Sequence, residues 1–339
     1  MPAQQLTEIT DPNLSTTVDQ LVPGVLNGVR RITLGEGALW HAQASRFVYI
    51  DIEAPALCFY TPSSNKFESY NIHEILQKQS NSHCDVVPKI GTVVATSDIN
   101  IYLLAIQHDV GGISMFNYNT HEITPYAKHP EFHLQNNRLN DGKVSADGKL
   151  YVGSMLLDTI TPRTPEGSLY VVSGNNSSGA FSKIFDQVTI SNGIVWSIDG
   201  SKMYYIDTPK QCVDVFDYVN GSVDINSRKT IIKTDYSTDG YPDGCCIDSD
   251  GMLWICFWLG SNISRYDPNT GKLLHRIKMP TQCITSCAFG GDNLGDLYVT
   301  SASNKVDISA QPQAGSVFIV RNVGVTGIKS PVYQFKSKL

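Results

Sequence analysis

Four positions carry side-chain oxygens at matching distances from a recurring apolar word. Glu36 lies 11 residues before Phe47, Asn140 lies 10 before Leu150, Asn192 lies 11 before Met203, and Asp243 lies 10 before Leu253. Gly37, Gly193 and Gly244 follow directly, and Gly142 follows Asn140 by two. In two further copies of the word the matching positions fall near Ser82 or His83 and near Ser286. In a radial repeat, equal offsets mean equivalent places, and side chains at the entrance of each inner strand converge on one axis. Two carboxylates meeting there repel each other, and loss of water makes this worse. A divalent cation relieves both costs. Carboxylate and amide oxygens suit a hard ion such as Ca²⁺, Mg²⁺ or Mn²⁺ with water completing the shell, and they do not exclude Zn²⁺ or Fe²⁺. Singly, Asn-Gly and Asp-Gly are ordinary turn pairs and Glu36 an ordinary loop acid. Their shared offset is the signal.

The elements that must position these residues are short strands. The word reads "SRFVYIDI" at 45, "GTVVATSD" at 91, "GKLYVGSM" at 148, "SKMYYIDT" at 201, "GMLWICFW" at 251 and "GDLYVTSA" at 295. Its first apolar residues, Phe47, Val93, Leu150, Met203, Leu253 and Leu297, span 250 residues in five steps, a mean of 50. Between the copies lie further strand candidates such as "GSLYVVS" from Gly167, separated by Gly, Asn, Asp and Pro. A period near 50 residues of short strands fits a four-stranded propeller blade. Six copies predict an all-β, six-bladed β-propeller with a central metal-binding channel. Residues 1–27 are expected to form an N-terminal arm that supplies a ring-closing strand, and residues 28–339 a single propeller domain.

Composition narrows the partners. The chain has 339 residues, 41% hydrophobic and 17% charged, with a net charge of −6 and no basic run. That argues against nucleic acid or an anionic membrane as partner. The polar N-terminus lacks the layout of a signal peptide, and no apolar stretch reaches membrane-spanning length. Eight cysteines are scattered without a CxxC pair, and Cys245 and Cys246 are adjacent, so they point to opposite faces of a strand. Free buried thiols and a cytoplasmic location follow. The sequons at Asn220 and Asn262 carry no weight in that compartment.

Other motifs fail on inspection. "HPEFH" from His129 to His133 has zinc-helix spacing but contains Pro130 and lacks the HExxH order. "DYSTDGYPDGCC" from Asp235 starts like a calcium loop but has Cys246 where the twelfth-position Glu belongs. There is no P-loop and no GxSxG elbow.

Several blocks are also similar to a known family: "GEGALW", "NNRLNDGKVSADGKLYVGSM", "FDQVTISNGIVWSIDGSKMYYIDT", "YPDGCCIDSDGMLWICFW" and "SCAFGGDNLGDLYVTSA". They resemble the regucalcin (senescence marker protein)/gluconolactonase family, in order from about Gly35 to Val320. The resemblance implies a six-bladed propeller with one divalent metal, Ca²⁺ first among the candidates, that hydrolyses sugar lactones to aldonic acids. It implies Glu36, Asn192 and Asp243 as metal ligands, and Arg138 with Asn140 as the substrate-contacting pair. Asp158 stands where a family member has an acidic substrate contact. The chain departs from the pattern at Ala38, where the family often has Pro, in the blade-two segment, and over residues 1–30.

The expected reaction is attack of an activated water on a lactone carbonyl, with Asp243 as general base. Asn140 is expected to bond a ring hydroxyl or the oxyanion, and Arg138 to fork onto sugar hydroxyls or the product carboxylate. Leu156 to Gly167 is expected to form a lid. Two rival functions use the same oxygens, a calcium-binding regulatory protein without turnover and an organophosphate triester hydrolase. The Arg138–Asn140 pair favours a polyhydroxylated ligand over the latter. Oligomeric state is left open by the sequence.

Overall fold

Strands that are apolar on both faces cannot end a sheet against water, and the innermost strands here are of that kind. Every residue of Gly35–His41, Ser191–Trp196 and Ile284–Gly290 is buried. The computed structural model describes residues 16–22, 31–80, 86–107, 111–131 and 136–335. Among these, 24 strands make six antiparallel four-stranded sheets, the blades of a β-propeller. The innermost strands of blades one to six are Gly35–His41, Lys89–Ala95, Asn137–Val144, Ser191–Trp196, Tyr241–Ile247 and Ile284–Gly290. Outer strands such as Lys66–Asn71 are half-exposed. In blade six the outermost strand is Thr17–Val22, which pairs antiparallel with Val317–Arg321. The start of the chain thereby covers the last blade's edge.

The core lies between blades rather than within one centre. Cys246 and Trp254 of blade five pack with Cys287, Leu297 and Val299 of blade six, whereas Cys245 packs with Ile206 and Val213 of blade four. The adjacent cysteines do face opposite ways, and all seven described cysteines are free thiols. Large rings fill the gaps: Tyr298 of blade six stacks on Trp40 and Phe47 of blade one at 5.4 and 4.9 Å. Past the last strand, Tyr333 pairs its backbone with Ala95 and Ser97 and bonds the Tyr126 hydroxyl at 2.9 Å. A nine-residue helix, Ile72–Ser80, and a short one, Tyr236–Asp239, are elements the strand pattern did not foreshadow.

The repeat needs one correction. Five of the six words lie on the second strand of their blade, but Val93 lies on the innermost strand of blade two. The true counterpart is Ile101–Gln107, where Tyr102 pairs with Ala95 as Phe47 pairs with Trp40. Both strands are buried on both faces, so both read as apolar words. Counting 10 or 11 back from Tyr102 reaches Gly91 or Thr92 rather than Ser82 or His83, which lie outside the described residues.

The recurring polar-Gly phrase is not a turn. Each of the six innermost strands shifts register against its neighbour at this phrase, after Glu36, Ile90, Leu139, Ser191, Pro242 and Ile284. Such bulges bend a strand and re-aim its side chains. The glycines serve the approach of the next blade. A Cβ on Gly193 would lie 2.8 Å from the Asp243 carbonyl oxygen, and one on Gly244 would lie 2.8 Å from the Thr285 carbonyl oxygen. Hydrogen bonds then close the ring: Asn140 Nδ2 donates to Ser191 O at 2.7 Å, Thr208 Oγ1 to Pro242 O at 2.8 Å, and Thr285 Oγ1 to Gly35 O at 2.6 Å. Gly193→Ala is expected to cost about 1–3 kcal/mol by overpacking this contact. Urea unfolding measures it, and a midpoint equal to the wild type would mean that blades four and five are not locked there.

Candidate functional site

The bulges carry the expected side chains to one place. Glu36, Asn192 and Asp243 are 7%, 5% and 5% exposed, and Arg138 and Asn140 are buried beside them. Asn192 and Asp243 open their bulges, whereas Glu36 sits one residue before its own, at the last paired position. Its extra methylene lengthens the side chain at that earlier position.

Among the described residues four buried side-chain oxygens accept from nothing, Asn137 Oδ1 and three others. Glu36 Oε2, Asn192 Oδ1 and Asp243 Oδ1 are buried from solvent and have no hydrogen-bond partner. For a carboxylate this is expensive, several kcal/mol per ion even after relaxation. The orientation of Asn192 is enforced: its Nδ2 donates to Thr208 Oγ1 at 2.9 Å, and that hydroxyl donates onward to Pro242 O. The amide oxygen is left as an acceptor. Burial, then the charge of Asp243, then that of Asp141, raise the Glu36 carboxyl well above the usual range. Burial and Asp141 raise Asp243 in the same direction, against a partial pull from Asn192 and the Gly244 N–H.

These donors fit a hard divalent cation. Ca²⁺ binds carboxylate and amide oxygens at about 2.3–2.6 Å, closer than the roughly 2.7 Å of a hydrogen bond from water. No set of three His, Cys, Asp or Glu is grouped for a metal among the described residues. Here two carboxylates and one amide supply the oxygens.

A second cluster adjoins the first. Arg138 donates from Nε to Asp158 Oδ2 at 2.9 Å and from Nη1 to Asn140 Oδ1 at 2.5 Å and Leu139 O at 3.3 Å. None of these bonds uses Nη2. Asn140 is thereby largely committed to the protein: its oxygen serves Arg138 and its Nδ2 serves Ser191 O, leaving one N–H for a ligand. Burial pushes the Asp158 carboxyl up, but Arg138 and Arg163 outweigh it and hold it below the usual range. The segment expected as a lid is pinned from within. Arg163 donates to Leu156 O at 3.0 Å and to Asp158 Oδ1 at 2.7 Å, and Asn137 Nδ2 donates to Glu166 O at 2.9 Å.

Sequence reasoning overlooked Asp141, Thr208 and Arg163. Asp141 was legible, since it follows Asn140 within the same bulge; desolvation raises its carboxyl. Thr208 and Arg163 gave no signal, because each acts through a tertiary contact. Of the discarded motifs, His133 lies outside the described residues. Asn262 is buried and donates to the Asp239 carbonyl, so it is no glycan acceptor as folded.

A cavity of about 870 Å³ continues along the axis from Gly37 and Asp141 past Lys143 and Cys246 to Ile328–Val332. None of Glu36, Asn192, Asp243, Arg138 or Asn140 lines it. The unpartnered acceptors and the arginine fork lie outside its wall, although Gly37 and Asp141, the chain neighbours of Glu36 and Asn140, line it.

Two buried acids and an amide on a six-bladed propeller define a class: a propeller whose innermost strands carry unpartnered oxygens beside an arginine–carboxylate pair. The SMP-30/Gluconolactonase/LRE-like region profile matches residues 34–303, and the chain belongs to that family. Regucalcin of Xenopus laevis is 34% identical over 301 residues, covering 87% of this chain and 93% of that protein. A luciferin-regenerating enzyme superposes with a TM-score of 0.77 at 27% identity, covering 94% of this chain and 99% of its own. A calcium-binding regucalcin from Agrobacterium tumefaciens gives a TM-score of 0.76 at 25% identity, covering 89% and 94%. No described helix is long and apolar enough to cross a membrane.

A carboxyl whose folded pKa is raised adds stability that is complete below its unfolded pKa and is lost as pH rises through the folded one. Glu36 and Asp243 are both of this kind. The cation-free protein is therefore expected to lose stability as pH climbs above the carboxylate range of about 4. Ca²⁺ is expected to raise the melting temperature, and more at pH 8 than at pH 5, because it displaces those protons. At a hundredfold excess over Kd the gain is about 2.7 kcal/mol. Calorimetry with chelator and with Ca²⁺ reads this, and equal melting temperatures at both pH values would contradict it.

Proposed function

We propose that this chain hydrolyses a sugar lactone to its aldonic acid with one divalent cation, Ca²⁺ foremost, held by Glu36, Asn192 and Asp243. The observation that carries the reading is the trio of buried acceptor oxygens without donors beside the Arg138–Asn140–Asp158 cluster. Family membership supports it at the level of the lactonase and regucalcin class. The free thiols among the described cysteines favour the cytoplasm as its place of action.

When bound, the cation supplies a Lewis acid for the lactone carbonyl and lowers the pKa of water it holds. The protein's own groups do the rest. Arg138 directs the donors of Nη2 at ring hydroxyls or at the new carboxylate, and Asp158 fixes the guanidinium plane. Asn140 offers its remaining N–H to the developing oxyanion. The Asp243 carboxylate takes the proton of the attacking water as the oxygen bonds to the carbonyl carbon. That proton then passes to the ring oxygen as the acyl C–O bond breaks, giving acid and hydroxyl. The segment from 156 to 167, held by Arg163, covers the bound ring.

A calcium-binding role without turnover is the second reading, favoured by the similarity to regucalcins. Acid release from a panel of γ- and δ-sugar lactones, followed with a pH indicator with chelator and after metal add-back, separates the two. Metal-dependent acid release is expected. No release from any lactone, with Ca²⁺ still raising the melting temperature, would leave the binding role. Asp243→Asn is expected to lower kcat by at least roughly a hundredfold while circular dichroism stays unchanged; near-normal turnover would remove Asp243 from the proton transfer. Arg138→Lys loses the fork and is expected to raise KM by about tenfold or more, the worth of one charge-assisted hydrogen bond. An unchanged KM would mean that Arg138 does not touch substrate.

A further inference from the structure

Where the trio lacks donors, one seam of the axial cavity lacks an acceptor. Lys143 lines the cavity and forms no hydrogen bond or salt bridge among the described residues. It lies on the innermost strand of blade three and pairs with Tyr151 of the second strand, so the two side chains share a face. The Tyr151 ring stands 5.1 Å from that of Trp196 on blade four, at an angle of 61°. Trp196 also lines the cavity, is 5% exposed, and its Nε1 is buried without a partner. Lys143 and Trp196 therefore meet on the seam between blades three and four. Both side chains can only donate.

The wall does not meet that need itself. Asp141, two residues before Lys143, feels the ammonium charge, but desolvation raises its carboxyl and Gly142 N already donates to its Oδ1 at 2.8 Å. Burial pushes up the Cys245 and Cys246 thiols of blade five, and the Lys143 charge opposes that rise, so the ammonium acts well inside the ring. A charge held there is costly until an anion pairs with it. Much of the lining is apolar, with Trp40, Val93, Ile247 and Phe289 among it, and about 870 Å³ is the size of a small-molecule pocket. The C-terminal segment completes the wall. Thr326 O accepts from Ser249 N at 2.8 Å, Gly327 N donates to Leu294 O at 2.8 Å, and Tyr333 N donates to Ala95 O at 2.9 Å. Between these anchors residues 328–332 cross from blades five and six to blade two along the cavity.

We propose that this cavity is a second ligand site, for an organic anion with a flat apolar body, its charged group held by Lys143 Nζ and Trp196 Nε1. The aromatic lining takes the body of such a ligand, and a charge-assisted bond to Lys143 fixes its head. None of Glu36, Asn192 and Asp243 lines the cavity, and the site does not depend on the lactonase reading.

Fluorescence titration of the full Ca²⁺-loaded chain tests this with two probes that share the same rings, 8-anilinonaphthalene-1-sulfonate and N-phenyl-1-naphthylamine, which lacks the sulfonate. A single sulfonate per chain is expected to bind, about tenfold or more tighter than the neutral probe, the worth of one charge-assisted hydrogen bond. Lys143→Met keeps an unbranched apolar stem and is expected to bring the two affinities together while the neutral probe binds as before. Trp196→Phe is expected to weaken the sulfonate alone by about three- to tenfold, the worth of one neutral hydrogen bond. Melting curves establish that both variants fold, and the neutral probe serves as the control that a merely structural change would also move. Equal affinities of the two probes in the wild type, or an anion preference that Lys143→Met or Trp196→Phe leaves unmoved, overturns the site. So does saturation only at several probes per chain, the mark of general surface binding.

Discussion

Six innermost strands must share one axis, and there is too little room for every polar group there to keep its water. The bulges and glycines are the answer to the first half of that constraint. They let Gly193 and Gly244 accept the backbone of the next blade and let cross-blade bonds such as Thr208 to Pro242 form. The second half is left unanswered by protein atoms. Glu36, Asn192 and Asp243 each keep a buried oxygen to which no protein group donates. A chain selected for stability alone would place apolar side chains there, since replacing buried charges by well-packed apolar groups is often neutral or stabilising. Two acids kept in that position are what the proposed cation would neutralise.

The surroundings of the trio follow the same logic. Thr208 has no chemistry of its own in the site, yet it decides which end of the Asn192 amide faces the axis. Arg163 plays the matching part for Asp158, and through it for Arg138.

Much of this was legible in the sequence. The 50-residue period gave the blade number, because each blade must rebuild the same buried pair of strands. The offset of polar residues from that period singled out Glu36, Asn140, Asn192 and Asp243, and all four are buried on innermost strands. What could not be read were features without a local cause. The phrase at Asn192-Gly193 looks like a hairpin turn and is a bulge, a distinction that depends on the facing strand. The word at Val93 was assigned to the wrong strand, because innermost and second strands are equally apolar. Asn140 was expected to bond a ring hydroxyl or the oxyanion, and Arg138 and Ser191 already occupy most of its amide.

The central claim concerns where a cation sits, and diffraction addresses it without reference to turnover. Crystals of the full chain soaked in Mn²⁺ and measured at an energy where manganese scatters anomalously should show one strong peak on the axis. That peak should lie within about 2.0–2.6 Å of oxygens from Glu36, Asn192 and Asp243. An axis without anomalous density, or a peak bound only by other residues, would contradict the account.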